Sequence, residues 1–164
     1  NIVRGCCKAG VVIRSGADPL LVGNQICDGQ VSGVYVYDGG RGRLERNVVQ
    51  RNAFHGIAIR DSASPELRDC RIHRSGQHGV FVYAAGTAAV HACEVSGSGN
   101  SGIVVCEGAR AQISGCKVSH SSHAGVWVHD GGGGVVKDCD LHKNRMPIRV
   151  EDKCQLELSA NKLV

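Results

Sequence analysis

The chain has 164 residues, of which 23 are glycine, 3 are proline and only 4% are aromatic. This length suits one domain, and so few rings leave Val, Ile and Leu, residues that favour strands, to fill the core. The net charge of +4 is small and its lysines and arginines are scattered, which argues against a nucleic-acid interface. No run of 18 apolar residues is present to span a bilayer, so no membrane partner is expected.

Nine cysteines occur without CxxC or zinc-finger spacing, and their number is odd. In an oxidising compartment an odd count would leave at least one thiol unpaired, so a reducing environment is favoured. The sequence therefore predicts an intracellular, cytoplasmic protein. It contains no pattern that calls for a cofactor, and none is expected.

A repeat organises the chain. In chain order the repeated units begin at Gly10, Gly33, Gly56, Gly79, Gly102 and Gly125, each 23 residues after the last, and then at Pro147, one residue early. Residues 1–9 fit the end of a preceding unit. A fixed period of about 20–50 residues is typical of stacked structural units.

Each unit predicts three short strands. The first glycine is followed by an apolar, a variable and an apolar residue, the alternation of a strand with one buried face. A Gly, Ala or Ser corner separates this strand from a second, which carries one inward apolar residue. These inward residues are Leu21, Leu44, Leu67, Val90, Ile113, Val136 and Leu158. The third strand supplies another inward column, namely Val3, Ile26, Val49, Ile72, Val95, Val118, Leu141 and Leu163.

A small polar or sulfur residue precedes the third strand of every unit. The series is Asn1, Asn24, Asn47, Cys70, Cys93, Cys116, Cys139 and Asn161. Stacked Asn side chains hydrogen-bond one another, and buried Cys behaves as a small hydrophobic residue. We therefore predict an internal ladder in which a column of packed thiols is flanked by asparagines.

Short strands at a fixed period, without a helical stripe, indicate an all-β fold. We predict a right-handed parallel β-helix solenoid of about seven coils of 23 residues, formed by residues 1–164 as a single domain. Solenoids normally need polar capping units, and the repeat has none at either end. We therefore expect the rod to be part of a longer chain or of a large assembly.

The unit reads GVVIRSGADPLLVGNQI over residues 10–26 and GIAIRDSASPELRDCRI over residues 56–72. Such segments resemble the right-handed β-helix repeat of the pectin-lyase-like superfamily. The closest variant is the short-coil repeat of F-box proteins and of other proteins with carbohydrate-binding-and-sugar-hydrolysis repeats. The resemblance covers almost the whole chain and implies the fold, but not one activity, because this scaffold hosts lyases, hydrolases, epimerases and binding modules. In the F-box relatives it implies recognition of protein substrates, although no F-box segment is present here.

The outward positions of the first strand align into two columns. One contains Val12, Tyr35, Ala58, Phe81, Val104 and Trp127, and the other contains Arg14, Tyr37, Arg60, Tyr83, Cys106 and His129. Exposed aromatic residues grouped on one sheet face are typical of a contact surface for protein or sugar, although such residues also simply suit strands. The predicted binding residues are Tyr35, Tyr37, Arg60, Phe81, Tyr83, Trp127 and His129.

An acidic column runs beside this face. Its members are Asp38, Asp61, Glu107, Asp130 and Asp152, with Ala84 as an interruption. Carboxylates on adjacent coils, about 4.8 Å apart, could bind Ca²⁺ or serve as the acid and nucleophile of a glycosidase, with Asp38, Asp61 and Asp130 as the candidates. Solvated turn carboxylates are the favoured interpretation, since aspartate is a normal turn residue beside glycine.

His55 and His78 occupy equivalent positions in adjacent coils, so their side chains could meet across about 5 Å and share a metal ion. Surface turn histidines are the simpler interpretation, and no metal is expected. The sequence as a whole favours a non-catalytic recognition or scaffold module that binds a protein partner on its aromatic face. The alternative is a carbohydrate-binding or carbohydrate-active β-helix, with polysaccharide as the ligand of the same aromatic residues.

Overall fold

The computed structural model of the chain describes residues 1–163, and its regular secondary structure consists of twenty short β-strands. Within that range no helix is long or apolar enough to cross a membrane. The strands, in chain order, are β1 (Ile2–Arg4), β2 (Val11–Ile13), β3 (Leu20–Val22), β4 (Gln25–Cys27), β5 (Val34–Val36), β6 (Arg43–Glu45), β7 (Val48–Gln50), β8 (Ile57–Ile59), β9 (Glu66–Arg68), β10 (Arg71–His73), β11 (Val80–Val82), β12 (Thr87–His91), β13 (Glu94–Ser96), β14 (Ile103–Val105), β15 (Arg110–Ser114), β16 (Lys117–Ser119), β17 (Ala124–Val128), β18 (Gly133–Lys137), β19 (Met146–Val150) and β20 (Gln155–Ser159).

The strands form three parallel sheets that each receive one strand per coil. Sheet A contains β1, β4, β7, β10, β13 and β16; sheet B contains β2, β5, β8, β11, β14, β17 and β19; sheet C contains β3, β6, β9, β12, β15, β18 and β20. In sheet B, Ile103 pairs with Val126 at an offset of 23 residues, and Val126 pairs with Ile148 at an offset of 22. These pairings confirm the predicted parallel β-helix of about seven coils, including the early start of the last one.

The core consists of apolar columns inside the rod. Val34, Ile57 and Val80 pair in register in sheet B, and each is fully buried. Leu44 and Leu67 form a corresponding buried pair in sheet C. Fully burying a Val, Leu or Ile side chain contributes roughly 1.5–3 kcal/mol, so the stacking of like residues between coils stabilises strands too short to be stable alone.

The glycine that begins each coil lies where no side chain fits. A Cβ atom at Gly33 would lie 2.5 Å from Cγ1 of Val49 and 2.8 Å from the carbonyl oxygen of Gly56. The inward side chain of sheet A and the backbone of the next coil therefore both press against this position. The same crowding by a sheet A side chain and the next backbone surrounds Gly56, Gly79 and Gly102, which explains the recurrence of glycine at this point of the repeat.

The predicted internal ladder is confirmed. Nδ2 of Asn24 donates a hydrogen bond to Oδ1 of Asn47 at 3.0 Å, and Nδ2 of Asn47 donates to the carbonyl of Leu21 at 2.8 Å. Cys70 continues the column, and its buried thiol donates to the carbonyl of Leu44 at 3.1 Å. Both donors reach the carbonyl 26 residues earlier, so the thiol replaces the amide at an equivalent point. All nine cysteines are free thiols.

A second internal ladder lies in the turn before the glycines and was not predicted. Oδ1 of Asn144 accepts the backbone N–H of Ser121 at 3.0 Å, and its Nδ2 donates to the carbonyl of Val118 at 2.7 Å. Three buried serines separate this asparagine from Asn52, which has the same role at the other end of the column. Within the described chain, hydrogen bonds are absent from the hydroxyls of Ser75, Ser98 and Ser121.

Leu158 and Leu163 differ from their predicted burial. Both belong to predicted inward columns, yet their exposed fractions are 50% and 48%. Leu158 pairs in register with the fully buried Val136, so its column position is as predicted. The structure describes no strand on the outer side of β20, and an inward column is buried only where another coil stacks on it.

Candidate functional site

The outer face of sheet B carries both predicted columns of outward residues. Strand register places Tyr35 beside Ala58 and Ala58 beside Phe81. The five aromatic side chains of this face are half-buried. Between the rings, Ala58, Val104 and Cys106 are at most 2% exposed although they occupy outward positions. The aromatic rings therefore lean over the smaller side chains and cover them.

Three tyrosines surround one arginine on this face; we call Tyr35, Tyr37, Arg60 and Tyr83 the tyrosine cluster. The ring centroids of Tyr35 and Tyr37 are 4.9 Å apart. The guanidinium carbon of Arg60 lies 5.5, 5.7 and 6.0 Å from the three tyrosine ring centroids. Each such cation–π contact contributes about 0.5–2 kcal/mol. Burial, together with a hydrogen bond to Tyr35, raises the pKa of Tyr83, so its phenol stays protonated.

Phe81 joins the tyrosine cluster to two stacked histidines. Its ring centroid lies 4.3 Å from that of Tyr83, 4.6 Å from that of His55 and 5.2 Å from that of His78. The two imidazole rings are parallel, with centroids 5.2 Å apart. Nδ1 of His55 accepts the backbone N–H of His78 at 3.4 Å, and Nδ1 of His78 accepts that of Ser101 at 3.3 Å. Burial lowers the pKa of both histidines to about 4, so both are neutral at pH 7.

The geometry of these histidines gives no support to the alternative of a shared metal ion. Each Nδ1 atom is already occupied by a backbone N–H, and the rings stack face to face. Among residues 1–163, no group of three or more His, Cys, Asp or Glu side chains is arranged to hold a metal. His55 and His78 instead extend the aromatic surface.

Trp127 organises a second group; we call Trp127, His129, Arg149 and Glu151 the tryptophan cluster. The centroids of Trp127 and His129 are 4.2 Å apart, and the guanidinium carbon of Arg149 lies 5.3 Å from the indole. The indole Nε1 donates to Oε1 of Glu151 at 3.2 Å. Between this cluster and the tyrosine cluster lies Cys106, and burial raises its pKa to about 12, so it stays an uncharged thiol.

The acidic column lies at the corner between sheets B and C, in left-handed backbone. The φ angles of Asp38, Asp61 and Asp130 are 52°, 51° and 47°. Aspartate tolerates this conformation better than most residues, which explains its recurrence there. Each carboxylate also contacts a polar neighbour. The contacts are Ser15 Oγ to Asp38 at 2.9 Å, Arg60 Nε to Asp61 at 3.1 Å and His129 Nδ1 to Asp130 at 2.8 Å.

Each of these carboxylates contacts a different neighbour rather than another carboxylate of the column. A glycosidase pair needs two facing carboxyl groups, one of which holds a proton while the other attacks or activates water. Here Asp61 forms an ion pair with an arginine of its own coil and Asp130 contacts a histidine of its own coil. The arrangement suits charged turn residues at the rim of the aromatic face better than an acid–nucleophile pair.

Some members of this surface were not predicted. Arg149 and Glu151 reach Trp127 from the last coil, whose period is shortened to 22 residues. Strand register pairs Arg149 with Trp127 once the 22-residue offset of the last coil is applied. The early start of that coil at Pro147 was therefore the sequence feature that could have identified Arg149. The stacked histidines lie in turns, whereas Phe81 lies on strand β11. The column pattern aligns equivalent positions only, so it does not predict a contact between them.

The family model described as the right handed beta helix region matches residues 1–163. The chain belongs to the right-handed β-helix family. The match confirms the repeat recognised in the sequence. The crystal structure of the periplasmic alginate epimerase AlgG is similar to this β-helix, with a TM-score of 0.65 and 16% identity. The alignment covers 100% of this chain and 38% of the epimerase, and at this identity the likeness concerns the fold alone.

A weaker similarity involves QnrB1, a plasmid-mediated fluoroquinolone resistance protein. Its structure aligns with 90% of this β-helix and 94% of its own chain, at 12% identity and a TM-score of 0.18. That score is too low to bear on the architecture. No curated protein matches the sequence.

Proposed function

We propose that this β-helix is a non-catalytic recognition module that binds a protein partner through the tyrosine and tryptophan clusters. The observation that carries the proposal is the packing of the Arg60 guanidinium within 6.0 Å of three tyrosine rings. Trp, Tyr and Arg are the residue types that contribute most of the binding energy at protein interfaces. Their concentration on one face of the rod supports an interface there.

The rigidity of this surface also supports recognition. Its side chains stand on strands of sheet B or on the residue that directly follows them, and neighbouring rings of the surface have centroids 4.2–4.9 Å apart. A side chain that is already ordered loses little conformational entropy on binding, whereas a mobile one costs about 0.5–1.5 kcal/mol. The aromatic surface is therefore prepared to bind without rearrangement.

The surroundings of the clusters indicate the chemistry of the partner. Asp61 and Asp130 are exposed at the corner next to the second outward column, and Glu107 is exposed between them. Charge complementarity guides association and selects partners. We therefore expect a segment that places apolar side chains against the rings and Lys or Arg side chains against the acidic column.

The carboxylate contacts favour binding over catalysis. Asp38, Asp61 and Asp130 each contact a different neighbour, and no two of them contact each other in the described hydrogen bonds and ion pairs. An acid–base pair requires coupled groups at one reacting centre. The weak catalytic alternative for these three residues gains no support from this arrangement.

A carbohydrate ligand is the second candidate, and one specific feature favours it. An open depression of about 860 Å³ lies beside the tryptophan cluster, lined among others by Asp130, Arg149 and Glu151. A ring next to carboxylate and guanidinium groups suits a sugar, which stacks its apolar face and hydrogen-bonds through its hydroxyls. The fold is shared with a protein named as an alginate epimerase, so alginate is the polysaccharide to test.

The triple variant Tyr35→Ala, Phe81→Ala, Trp127→Ala tests the proposal. Leu20→Ala is its control, because Leu20 is 55% exposed and lies on sheet C, outside both columns. In quantitative affinity purification from cell extract, the wild type and the control should enrich the same proteins, and the triple variant should lose them by about tenfold or more. Equal enrichment by all three proteins would contradict the chosen surface. Binding of alginate, lost with Trp127→Ala, would establish the second candidate instead.

A further inference from the structure

A polar depression of about 540 Å³ lies at the outer edge of sheet A, away from the aromatic columns of sheet B. Its lining comes from two adjacent columns over successive coils. One column supplies the last residues of β7, β10 and β13, and the other supplies the residues that follow β10, β13 and β16. The six lining residues are Gln50, His73, Arg74, Ser96, Gly97 and His120.

Arg74 carries the fixed positive charge among the residues that line this depression. None of its lining residues carries a carboxylate, and Arg74 is exposed and forms no ion pair with any residue from 1 to 163. One coil earlier in the same column, Arg51 is held by Asp28 at 2.7 Å. Glu94, on the neighbouring strand of sheet A, is the cross-strand partner of Arg71 and does not line the depression.

His73 and Ser96, two of its lining residues, form a hydrogen-bonded pair. Nδ1 of His73 and Oγ of Ser96 are 2.7 Å apart. If the hydroxyl donates to Nδ1, the ring keeps a free Nε2–H; if Nδ1–H donates to the hydroxyl, Ser96 keeps a free O–H. In either tautomer the pair retains one donor for a ligand, and it retains two when the ring is protonated.

Gly97 leaves the space between the basic groups open. Its column carries Arg74 one coil before and His120 one coil after, so these two side chains flank the glycine about 9.6 Å apart at the backbone. A Cβ atom at Gly97 would already lie 3.5 Å from Cγ of Arg74, and a longer side chain would enter the gap. The backbone N–H of Gly97 donates to Ser119, so a ligand there depends on side chains.

We infer that this depression is a binding site for a tetrahedral oxyanion, the phosphate of a phosphorylated group or the sulfate of a sulfated one. Arg74 supplies the guanidinium, the His73–Ser96 pair supplies a neutral donor, and His120 closes the opposite side. Guanidinium and imidazole donors around a cavity that no carboxylate lines suit an oxyanion, because charge-assisted hydrogen bonds are about twice as strong as neutral ones. This site shares no residue with the proposed protein-binding surface. A failed test of one proposal therefore leaves the other unaffected.

Inorganic phosphate and sulfate are the first probes. Protein whose histidine residues are isotopically labelled is titrated with each anion, and the imidazole signals of all eight histidines are followed by NMR. We expect saturable shifts at His73 and His120 and none at the stacked pair His55 and His78. The absence of saturable shifts at His73 and His120 with both anions would overturn the site.

Arg74→Gln should weaken anion binding about tenfold or more, since it removes the fixed charge of the depression. Arg46→Gln is the matched control: its residue type is the same, its φ angle of 52° equals that of Arg74, and it lies on another corner. Equal weakening in the two variants would mean nonspecific attraction and would overturn the proposal. O-phosphoserine and galactose 6-sulfate then identify the source, because the true one should bind more tightly than its inorganic anion.

Discussion

The hydroxyl oxygens of Tyr35 and Tyr83 lie 3.3 Å apart although 48 positions separate these residues in the sequence. The two side chains belong to coils two apart, and Arg60 lies on the coil between them, within 6.0 Å of both rings. Ala58, also on that coil, is small enough for the tyrosines to lean across it. The cluster therefore forms from three coils at once, and its shape depends on every one of them.

The tyrosine hydrogen bond predicts the effect of Tyr35→Phe. The loss of one half-buried hydroxyl should lower the free energy of unfolding by about 1 kcal/mol, measured by urea denaturation. Because part of the raised pKa of Tyr83 comes from Tyr35, that pKa should also move toward its ordinary value in an ultraviolet titration. Tyr37→Phe is the control, since its hydroxyl accepts only an exposed bond from Arg14. Equal effects of both variants would disprove the specific role of the Tyr35 hydroxyl.

The glycine column predicts a large cost for Gly79→Ala. A Cβ atom there would collide with Cγ1 of Val95 and lie 2.7 Å from the carbonyl oxygen of Gly102. Overpacking of this kind should destabilise the rod by about 3 kcal/mol in chemical denaturation. Gly16→Ala should cost only about 1–2 kcal/mol, because its φ angle is +69° but nothing lies within 4 Å of the new atom. The reverse order of the two costs would refute the packing argument.

The second ladder predicts that Ser98→Asn stabilises the protein. In that variant the amide oxygen would accept the backbone N–H of Ser75, as Asn144 accepts that of Ser121. Its Nδ2 would reach the carbonyl of Ile72, 26 residues earlier, as Asn144 reaches that of Val118. We expect the free energy of unfolding to rise by about 1 kcal/mol in Ser98→Asn. It should change little in Ser98→Ala, because the serine hydroxyl that this variant removes forms no hydrogen bond. A loss of stability in Ser98→Asn would show that the turn has no room for the ladder.

The stacked histidines predict lower stability in acid. His55 and His78 have pKa values of about 4 in the folded protein, while the ordinary value, expected when unfolded, is 6.5. The unfolded state therefore binds protons first, so stability present above pH 6.5 is lost as the pH falls toward 4. The melting temperature should fall over that window and fall less in His55→Asn, His78→Asn, since the Asn amide oxygen can replace Nδ1 as acceptor. Identical pH profiles would contradict the neutral stacked pair.

The sequence predicted the coils and the columns that were read from them, but it did not lead to the prediction of the second ladder at Asn52 and Asn144, which follows the same register. Once Gly33, Gly56 and Gly79 define the coils, register follows, and the inward ladder from Asn24 to Asn161 and the outward aromatic columns follow from register. The structure confirms these because a parallel stack offers each residue the same two neighbours above and below.

Features that depend on side-chain reach could not be predicted. Nothing in the period indicates that Arg60 turns toward three tyrosines, or that His55 leans from its turn onto Phe81. Leu158 was expected inside and is half-exposed, since burial at the last described coil depends on what covers it. The oxyanion depression also escaped detection, because it needs Gly97 to be recognised as a gap between two basic side chains.

Photo-cross-linking at Val12 shows whether a protein partner occupies the aromatic face. Val12 is 48% exposed and pairs in register with Tyr35, whereas Leu20 is 55% exposed on sheet C. With benzoylphenylalanine at position 12, we expect a covalent protein adduct in cell extract that disappears in the triple variant Tyr35→Ala, Phe81→Ala, Trp127→Ala. The same probe at position 20 should give none. No adduct from position 12, or the same adduct from position 20, would contradict a partner on the aromatic face.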